Sequence, residues 1–563
     1  MPTTDDSSIS RRQALAAALV AVFVVAIAVW RATVGLSFYD DSYYVSVPWR
    51  LASGARLFVD ELSAQSLGEL ISVPFVLAYR FAFGLTGIVL ALRLFYVALA
   101  SGACALAYRL LRPSVRPLVI VVALSLPLLA PPYHVLAPSY NTIAVLCFML
   151  SVVAGFAAIR DSSWRLAAFA GVAAALGAAS YPPFALGAVV LLVTFGVLGG
   201  WRLFLAMAAG AAAAGVVFAA SVLIAASPAS ISHALSYSRG SIDVHTTFGH
   251  KLQMTLDRTA WALSRFALLP MWALAIAASI PFGSARFRSV ALALIPVMAA
   301  LPGVLLLFAG DKITFGTAAP TWLITATAGL LIPASVWTFR AGRADLRRLL
   351  TLAAPFSATA YLTVALVTSS SWNRGLPAIG LVPLSIGLLL CWATALAEDS
   401  GSITLAIGVA TALVAVSGLL FATAWADVSI WIPHARVASG PYAGISAGTA
   451  RRDEVLALTE AGKRLVKPGS RVTFLGEREA YLLVGGVPYT PLTWLLPSAP
   501  DSEVLNYYAR NGGPADVVFV DDYGITKQGG TAKAALKDPL YAYVLANYRQ
   551  VDRVAKFSVF VRP

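Results

Sequence analysis

Charge is scarce in this chain. Only 12% of its residues are Asp, Glu, Lys or Arg, and acids are the scarcer sign, 27 against 41 basic residues. With 59% hydrophobic residues and a mean hydropathy of +0.78, this balance excludes an ordinary soluble globular protein. Cysteine is rarer still. Cys104, Cys147 and Cys391 all fall inside apolar runs, where they act as small hydrophobes and exclude a disulfide framework. The five histidines (His134, His233, His245, His250, His434) show no metal-ligand spacing, and no zinc pattern, P-loop or dinucleotide fingerprint occurs. Nucleotide-driven machinery is therefore excluded. The formal charge of +14 would suit a nucleic-acid partner, but most basic residues sit between apolar runs. There they read as topology signals and contacts for anionic membrane lipids, so nucleic acid is not expected as a partner.

What the chain has is apolar length. Runs of about 20 residues, enough to span a bilayer, recur from Ala14 to Ala424. The chain reads as a polytopic α-helical membrane protein. The N-terminal Ser10-Arg11-Arg12-Gln13-Ala14-Leu15 faintly resembles a twin-arginine signal, but the run after it is longer than a signal core and lacks a small-residue cleavage site. It reads as an uncleaved first helix, Gln13 to Val34, entering from the cytoplasm. The segment Leu67 to Gly84 is apolar but carries Glu69, Pro74 and Arg80. Were it to span, Arg109, Arg112, Arg116, Arg160, Arg165, Arg202, Arg286, Arg288 and Arg340–Arg348 would all move outside, against the positive-inside rule. It is therefore expected to lie along the outer interface, within a first external loop of residues 35–87. That parity gives about 13 spanning helices and places the C-terminus outside.

The other outer loops then follow. Pro131-Pro132-Tyr133-His134 to Ser139-Tyr140-Asn141 forms one, Ser180-Tyr181-Pro182-Pro183 a tight second, and Ser227 to Arg258 a long third. Asp311-Lys312 and Ser369 to Arg374, with Trp372 and Asn373, complete the set. Arg239, Lys251, Lys312 and Arg374 lie on the outer side against the general bias, either as structural salt bridges or as ligands for an anion near the membrane face. The Ala/Gly-rich run Gly210 to Gly215 is expected to pack closely against another helix.

Past a last helix near Ser402 to Thr423, the chain turns polar. A transmembrane domain of residues 1–425 is expected to give way to an extracytoplasmic α/β domain of residues 426–563. Helical spacing marks Arg452 to Val466, Glu503 to Arg510 and Leu540 to Tyr548. Arg471–Gly476, Ala515–Val520 and Lys556–Val561 read as strands. Asp521-Asp522 closes the second strand, a position that serves turns and caps as well as ligands.

The stretch with most chemistry directly follows the first helix: Phe38-Tyr39-Asp40-Asp41-Ser42-Tyr43-Tyr44. Two adjacent carboxylates beside a bilayer surface repel one another and are costly to ionise together, which marks them for proton chemistry, although a solvated loop would use the same residues. Their tyrosine neighbours are of the kind that settles at a membrane boundary. Asp40-Asp41-Ser42-Tyr43-Tyr44, then Ala52-Ser53-Gly54, Phe58-Val59-Asp60, Pro74 and Arg93 together resemble the start of the GT-C membrane glycosyltransferases. The chain is similar to their protein-mannosyltransferase and aminoarabinose-transferase branch, over about Ser37 to Arg116. The second acid of that family's pair is usually Glu, and here it is Asp41.

The resemblance implies a GT-C-like fold whose first external loop carries helices along the membrane. It implies transfer of a sugar from a polyprenyl-phosphate donor to an envelope glycan, lipid or protein outside the plasma membrane. Asp40 and Asp41 are the implied catalytic pair. Tyr43, Asp60, Glu61, Tyr140, Asn141, Arg239, Lys251, Lys312, Trp372, Asn373 and Arg374 are the candidate substrate contacts. Such chemistry needs a base for the acceptor hydroxyl and cations for the leaving phosphate. The sequence requires no cofactor and leaves room for a divalent metal. A lipid-linked glycan ligase or polymerase would share side and substrate class. A transporter or flippase of lipid-linked sugars would place charges at mid-membrane and repeat its halves, which this chain does not.

Overall fold

The computed structural model describes residues 4–36, 40–129, 131–132, 135–242, 247–265, 318–340, 342–367, 376–399, 434–475, 480–493, 501–521 and 539–563. The chain is a polytopic helical membrane protein with a C-terminal α/β region. Helix α1 (Thr4–Ala32) leads to α2 (Asp40–Ala52), a 3-10 stretch (Ala64–Ser72) and α3 (Val73–Phe83). Then come α4 (Ile88–Leu111), α5 (Pro117–Leu124), α6 (Leu126–Leu129), α7 (Tyr140–Asp161), α8 (Trp164–Ser180), α9 (Ala185–Gly199) and α10 (Trp201–Ala225). The series continues with α11 (Pro228–Ile242), α12 (Phe248–Arg265), α13 (Ala318–Arg340), α14 (Ala344–Val367) and α15 (Val382–Asp399). Seven stretches among the described residues are long and apolar enough to cross a membrane: Gln13–Ala32, Ser66–Phe83, Ile88–Leu111, Tyr140–Asp161, Pro182–Gly199, Trp201–Ala225 and Ala344–Val367. The helix expected near Ser402 to Thr423 lies outside the described residues.

Local chemistry explains where the helices start. Ser139 caps α7: its Oγ accepts from the Thr142 amide at 3.2 Å, while Thr142 Oγ1 accepts from the Ser139 amide at 2.9 Å. This reciprocal pair satisfies two donors that a helix start leaves open. The stretch Ser227 to Arg258, expected as a long loop, is instead two helices, α11 and α12. Its Ser, His, Gln and Thr content hid a helical spacing that only its amphipathic faces reveal.

The ends of α4 separate two worlds. At its C-terminal end, Arg160 donates to the Leu110 carbonyl at 2.8 Å and Arg343 to the Ser114 carbonyl at 3.1 Å. At its N-terminal end lies the C-terminal region. Strands β1 (His434–Arg436) and β2 (Ser446–Gly448) form an antiparallel hairpin. Its loop accepts from the Gly87 amide at Gly440 O (2.9 Å) and from the Val89 amide at Pro441 O (3.2 Å). The open N–H groups of α4 are thereby satisfied by carbonyls some 350 residues downstream.

The remaining strands, β3 (Arg471–Leu475), β4 (Val487–Pro488), β5 (Val517–Asp521), β6 (Arg549–Val554) and β7 (Phe557–Val561), make one sheet in the order β4-β3-β5-β7-β6. β3 runs parallel to β4 and β5, whereas β7 is antiparallel to β5 and β6. Among the described residues four helices, α16 (Thr449–Leu465), α17 (Ala480–Val484), α18 (Asp501–Arg510) and α19 (Pro539–Asn547), accompany it.

The chain leaves α1 and enters α4 on the same side. Arg93, buried in the second turn of α4, donates to the Ala32 and Gly35 carbonyls at 2.9 and 3.0 Å. Between these points, the Leu62 amide donates to Pro491 O at 2.9 Å. The segment 36–92 shares an apolar core with the C-terminal region: Leu36, Val45, Trp49, Val76 and Leu92 pack with Tyr442, Val455 and Phe474.

Within the bundle α8 and α10 are in backbone contact. A Cβ on Gly171 would lie 1.9 Å from Met207 O, and one on Gly210 would lie 2.0 Å from Ala168 O. The expected close packing is thus real at Gly210, while Gly215 faces open space. Gly171→Ala and Gly210→Ala should each cost about 1–3 kcal/mol, because backbone atoms must yield. Gly215→Ala should be neutral or stabilising by up to about 1 kcal/mol. Thermal unfolding of the three variants in one detergent checks this; equal melting temperatures would refute the contact.

Candidate functional site

Asp40 and Asp41 are the first two residues of α2. The first turn of a helix is where its dipole favours anions. Their side chains lie outside the described residues.

The rest of α2 is clamped. Every residue from Tyr43 to Arg50 is buried. Tyr43, Tyr44 and Val47 pack with Val135 and Ala137 ahead of α7, and Tyr44 meets Tyr140 edge-on at 5.9 Å. Tyr140 in turn meets Tyr181 at 5.1 Å. Tyr43 was expected at the membrane boundary. It is 2% exposed, with its hydroxyl 3.2 Å from Ser66 Oγ. Burial, with Glu61 and Glu69 nearby, pushes its phenol well above the ordinary range. It remains a neutral hydrogen-bonding group.

The far end of α2 carries a buried ion pair. Arg50 Nη1 donates to Glu61 Oε2 at 3.2 Å, with 3% and 0% of the two side chains exposed. Arg50 also donates to the Thr490 carbonyl and, at 3.4 Å, to Thr493 Oγ1. The same Glu61 oxygen accepts from the Thr493 amide at 2.8 Å and from its hydroxyl. Loop and C-terminal region are therefore joined through one carboxylate. Burial holds Glu61 above its ordinary range even though Arg50 and Thr493 pull it down.

Of the other candidates, Asp60 Oδ2 accepts from the Arg56 amide at 2.8 Å, and its Oδ1 accepts from the Tyr507 hydroxyl at 3.3 Å. Asn141 is buried in the first turn of α7, and its Oδ1 has no hydrogen-bond partner among the described residues. Lys251 is buried near the start of α12. Arg239 lies in α11, with its side chain outside the described residues. Lys312, Trp372, Asn373 and Arg374 lie outside them altogether. The structure thus brings together Tyr43, Glu61 and Tyr140 around α2.

Sequence reasoning missed Arg50, Ser66, Glu69, Thr490 and Thr493. Glu69 is fully buried, and neither carboxylate oxygen has a hydrogen-bond partner among the described residues. An acid inside an apolar stretch was the signal for it. Nothing local marks Thr490 and Thr493, which act across the fold. Among the described residues no group of three or more His, Cys, Asp or Glu could hold a metal.

No family model matches the chain. No curated protein matches it either. Among solved structures it is similar to the crystal structure of the Archaeoglobus fulgidus oligosaccharyltransferase in the apo form, at 12% identity and a TM-score of 0.48. The alignment covers 97% of this chain and 74% of that one.

The buried pair makes a signed prediction. A carboxyl raised by folding favours the fold while protonated. As pH climbs from the ordinary Glu value towards the raised one, the unfolded chain ionises first and stability falls. Removing the Arg50 cation raises Glu61 further and widens that window. Arg50→Met should therefore cost about 3–5 kcal/mol where Glu61 is charged and lose more stability than wild type as pH rises above the ordinary Glu range. Adding Glu61→Gln should flatten the difference. Parallel pH profiles for wild type and Arg50→Met in thermal unfolding would show that Glu61 does not titrate there.

Proposed function

We propose that the chain is a membrane glycosyltransferase that moves a sugar from a polyprenyl-phosphate donor to an extracytoplasmic acceptor, an envelope glycan, lipid or protein. The observation that carries this reading is the placement of Asp40 and Asp41. Two adjacent acids open a short helix at the exit of a membrane-spanning helix, and that helix is immobilised by burial from Tyr43 to Arg50. A general base must be held within hydrogen-bond reach of the hydroxyl it deprotonates, and a clamped helix supplies the rigidity.

In this reading Asp40 takes the acceptor's proton as the hydroxyl attacks the anomeric carbon, and the bond to the donor phosphate breaks. Asp41 orients Asp40 or couples to it. The negative charge developing on the leaving phosphate is met by an outer cation among Arg239, Lys251, Lys312 and Arg374, with Arg374 first. The lipid phosphate is its own activated leaving group, so no cofactor is assigned. The site and the C-terminal region are proposed to face outward from the plasma membrane. Support for this orientation comes from Arg160 and Arg343 at one end of α4 and the β1–β2 hairpin at the other, because basic loops stay inside.

Purified wild type, Asp40→Asn and Asp41→Asn, at equal folded amounts, should be compared in transfer from a polyprenyl-phosphate sugar. Asp40→Asn is expected to lose about 10²–10⁴ in rate. A dead Asp41→Asn beside a fully active Asp40→Asn would reverse the roles, and two active variants would end the transferase reading. For orientation, single cysteines in intact cells should react with an impermeant reagent within residues 449–465 and stay protected within 340–348. The opposite pattern would move the site inside.

A further inference from the structure

Away from α2, a cavity of about 610 Å³ opens where the β1–β2 hairpin meets α3 and α4. One wall is the start of a membrane-spanning helix, with Leu90, Ala91 and Leu94 of α4. Tyr79 of α3 forms a second wall, and its hydroxyl donates to the Thr86 carbonyl at 2.7 Å, which fixes the ring. The hairpin closes the third side, held by the bonds from Gly87 and Val89 already described. Its closeness depends on Gly444, at φ +91, where a Cβ would lie 2.8 Å from Leu90 Cδ2. The cavity is thus built into the fold.

Its polarity is lopsided. The α4 wall is apolar, and the neighbouring surface of α3 continues it outward, with Leu77 48%, Phe81 95% and Phe83 66% exposed. Such a surface suits acyl chains, not water. At the hairpin end stands Arg436, exposed and lining the cavity. Among the described residues no carboxylate pairs with it. A guanidinium is the group that binds phosphate oxygens two at a time. An apolar wall continuous with a lipid-facing helix, ending at an unpaired cation, matches one ligand shape: a phosphate head with hydrocarbon below it.

We propose that this cavity is a binding site for an anionic glycerophospholipid, with its headgroup phosphate on Arg436 and an acyl chain along Leu90, Leu94 and the exposed face of α3. The bound lipid fastens the hairpin to the helices on which the α2 loop rests. The site does not depend on the proposed transfer chemistry, and Arg436 has no part in it.

The test uses the full chain in neutral detergent. The probe is phosphatidylglycerol with a diazirine in one acyl chain, the phosphatidylcholine analogue is the reference, and labelled peptides are mapped by mass spectrometry. Phosphatidylglycerol should label 76–94 roughly tenfold more than phosphatidylcholine, because both carry the phosphate but the choline cation of the second is repelled by Arg436 and offsets the attraction. Arg436→Gln should abolish that preference without lowering the melting temperature in lipid-free detergent, since its side chain is exposed. Leu94→Trp, which narrows the apolar wall, should reduce labelling by both lipids. Equal labelling by the two lipids, or an undiminished preference in Arg436→Gln, overturns the proposal. So does loss of the label to inorganic phosphate, which marks a free-anion site. Displacement by polyprenyl phosphate more readily than by unlabelled phosphatidylglycerol marks a carrier-lipid site and also overturns it.

Discussion

The structure hangs on where the chain is allowed to leave its first helix. Arg93 fixes that point by donating to the Ala32 and Gly35 carbonyls from inside α4. The last carbonyls of a helix have no partners of their own, and a cation is the best group to meet them. The same guanidinium is poorly placed for its own helix, since it sits near the positive end of α4. The arrangement therefore makes sense only as a bond between helices. The hairpin adds to it: the Gly35 amide donates to Ser446 O at 2.7 Å and the Ser446 amide to Thr33 O at 2.8 Å. With the exit held from two sides, the acids that follow five residues later start their helix at a fixed place.

From that exit point the loop and the C-terminal region become one body. Val45, Trp49 and Val76 pack in the same core as Tyr442, Val455 and Phe474, while Leu57, Phe58 and Leu62 join Tyr489, Tyr508 and Val518. Tyr237 of α11 enters the second of these cores, and His233 lies 3.1 Å from Glu503. A helix such as α2, too short to be stable alone, is thereby held by tertiary packing. The rigidity that the proposed proton transfer requires is supplied by these contacts and not by α2 itself.

Much of the fold was legible because its signals are local and repetitive. Apolar length found the first span, expected over Gln13 to Val34 and present over Gln13–Ala32, and helical spacing found α16 and α18. Alternation and turn residues found β3, β5 and β7. The failures share a cause. Strand β6 (Arg549–Val554) has a solvent-facing pattern, with only Val554 buried, so periodicity could not reveal it. The α11–α12 pair looked like loop because polar residues dominate its exposed face. Asp40 and Asp41 stand out in the sequence by adjacency and position, and their side chains lie outside the described residues. Arg50 does not stand out, because a basic residue shortly after an acidic motif reads as an ordinary surface group until Glu61 and Thr493 are seen around it. Hydrogen bonds to partners more than 400 residues away leave no mark on the local sequence.

That distance has a bearing on how the protein is made. Arg50 and Glu61 find Thr490 and Thr493 at separations of 432 to 443 residues. Chains emerge from the ribosome at about 5–20 residues per second, so roughly 20–90 seconds pass before these partners exist. Throughout that interval Arg50 and Glu61 lack the partners that bury them, and the Gly87 and Val89 amides lack the hairpin carbonyls. Closure of the loop around Thr490 and Thr493 thus comes late in synthesis. A chain stopped short of Thr490 would leave α2 without the bonds from Arg50 and Glu61 that hold its far end.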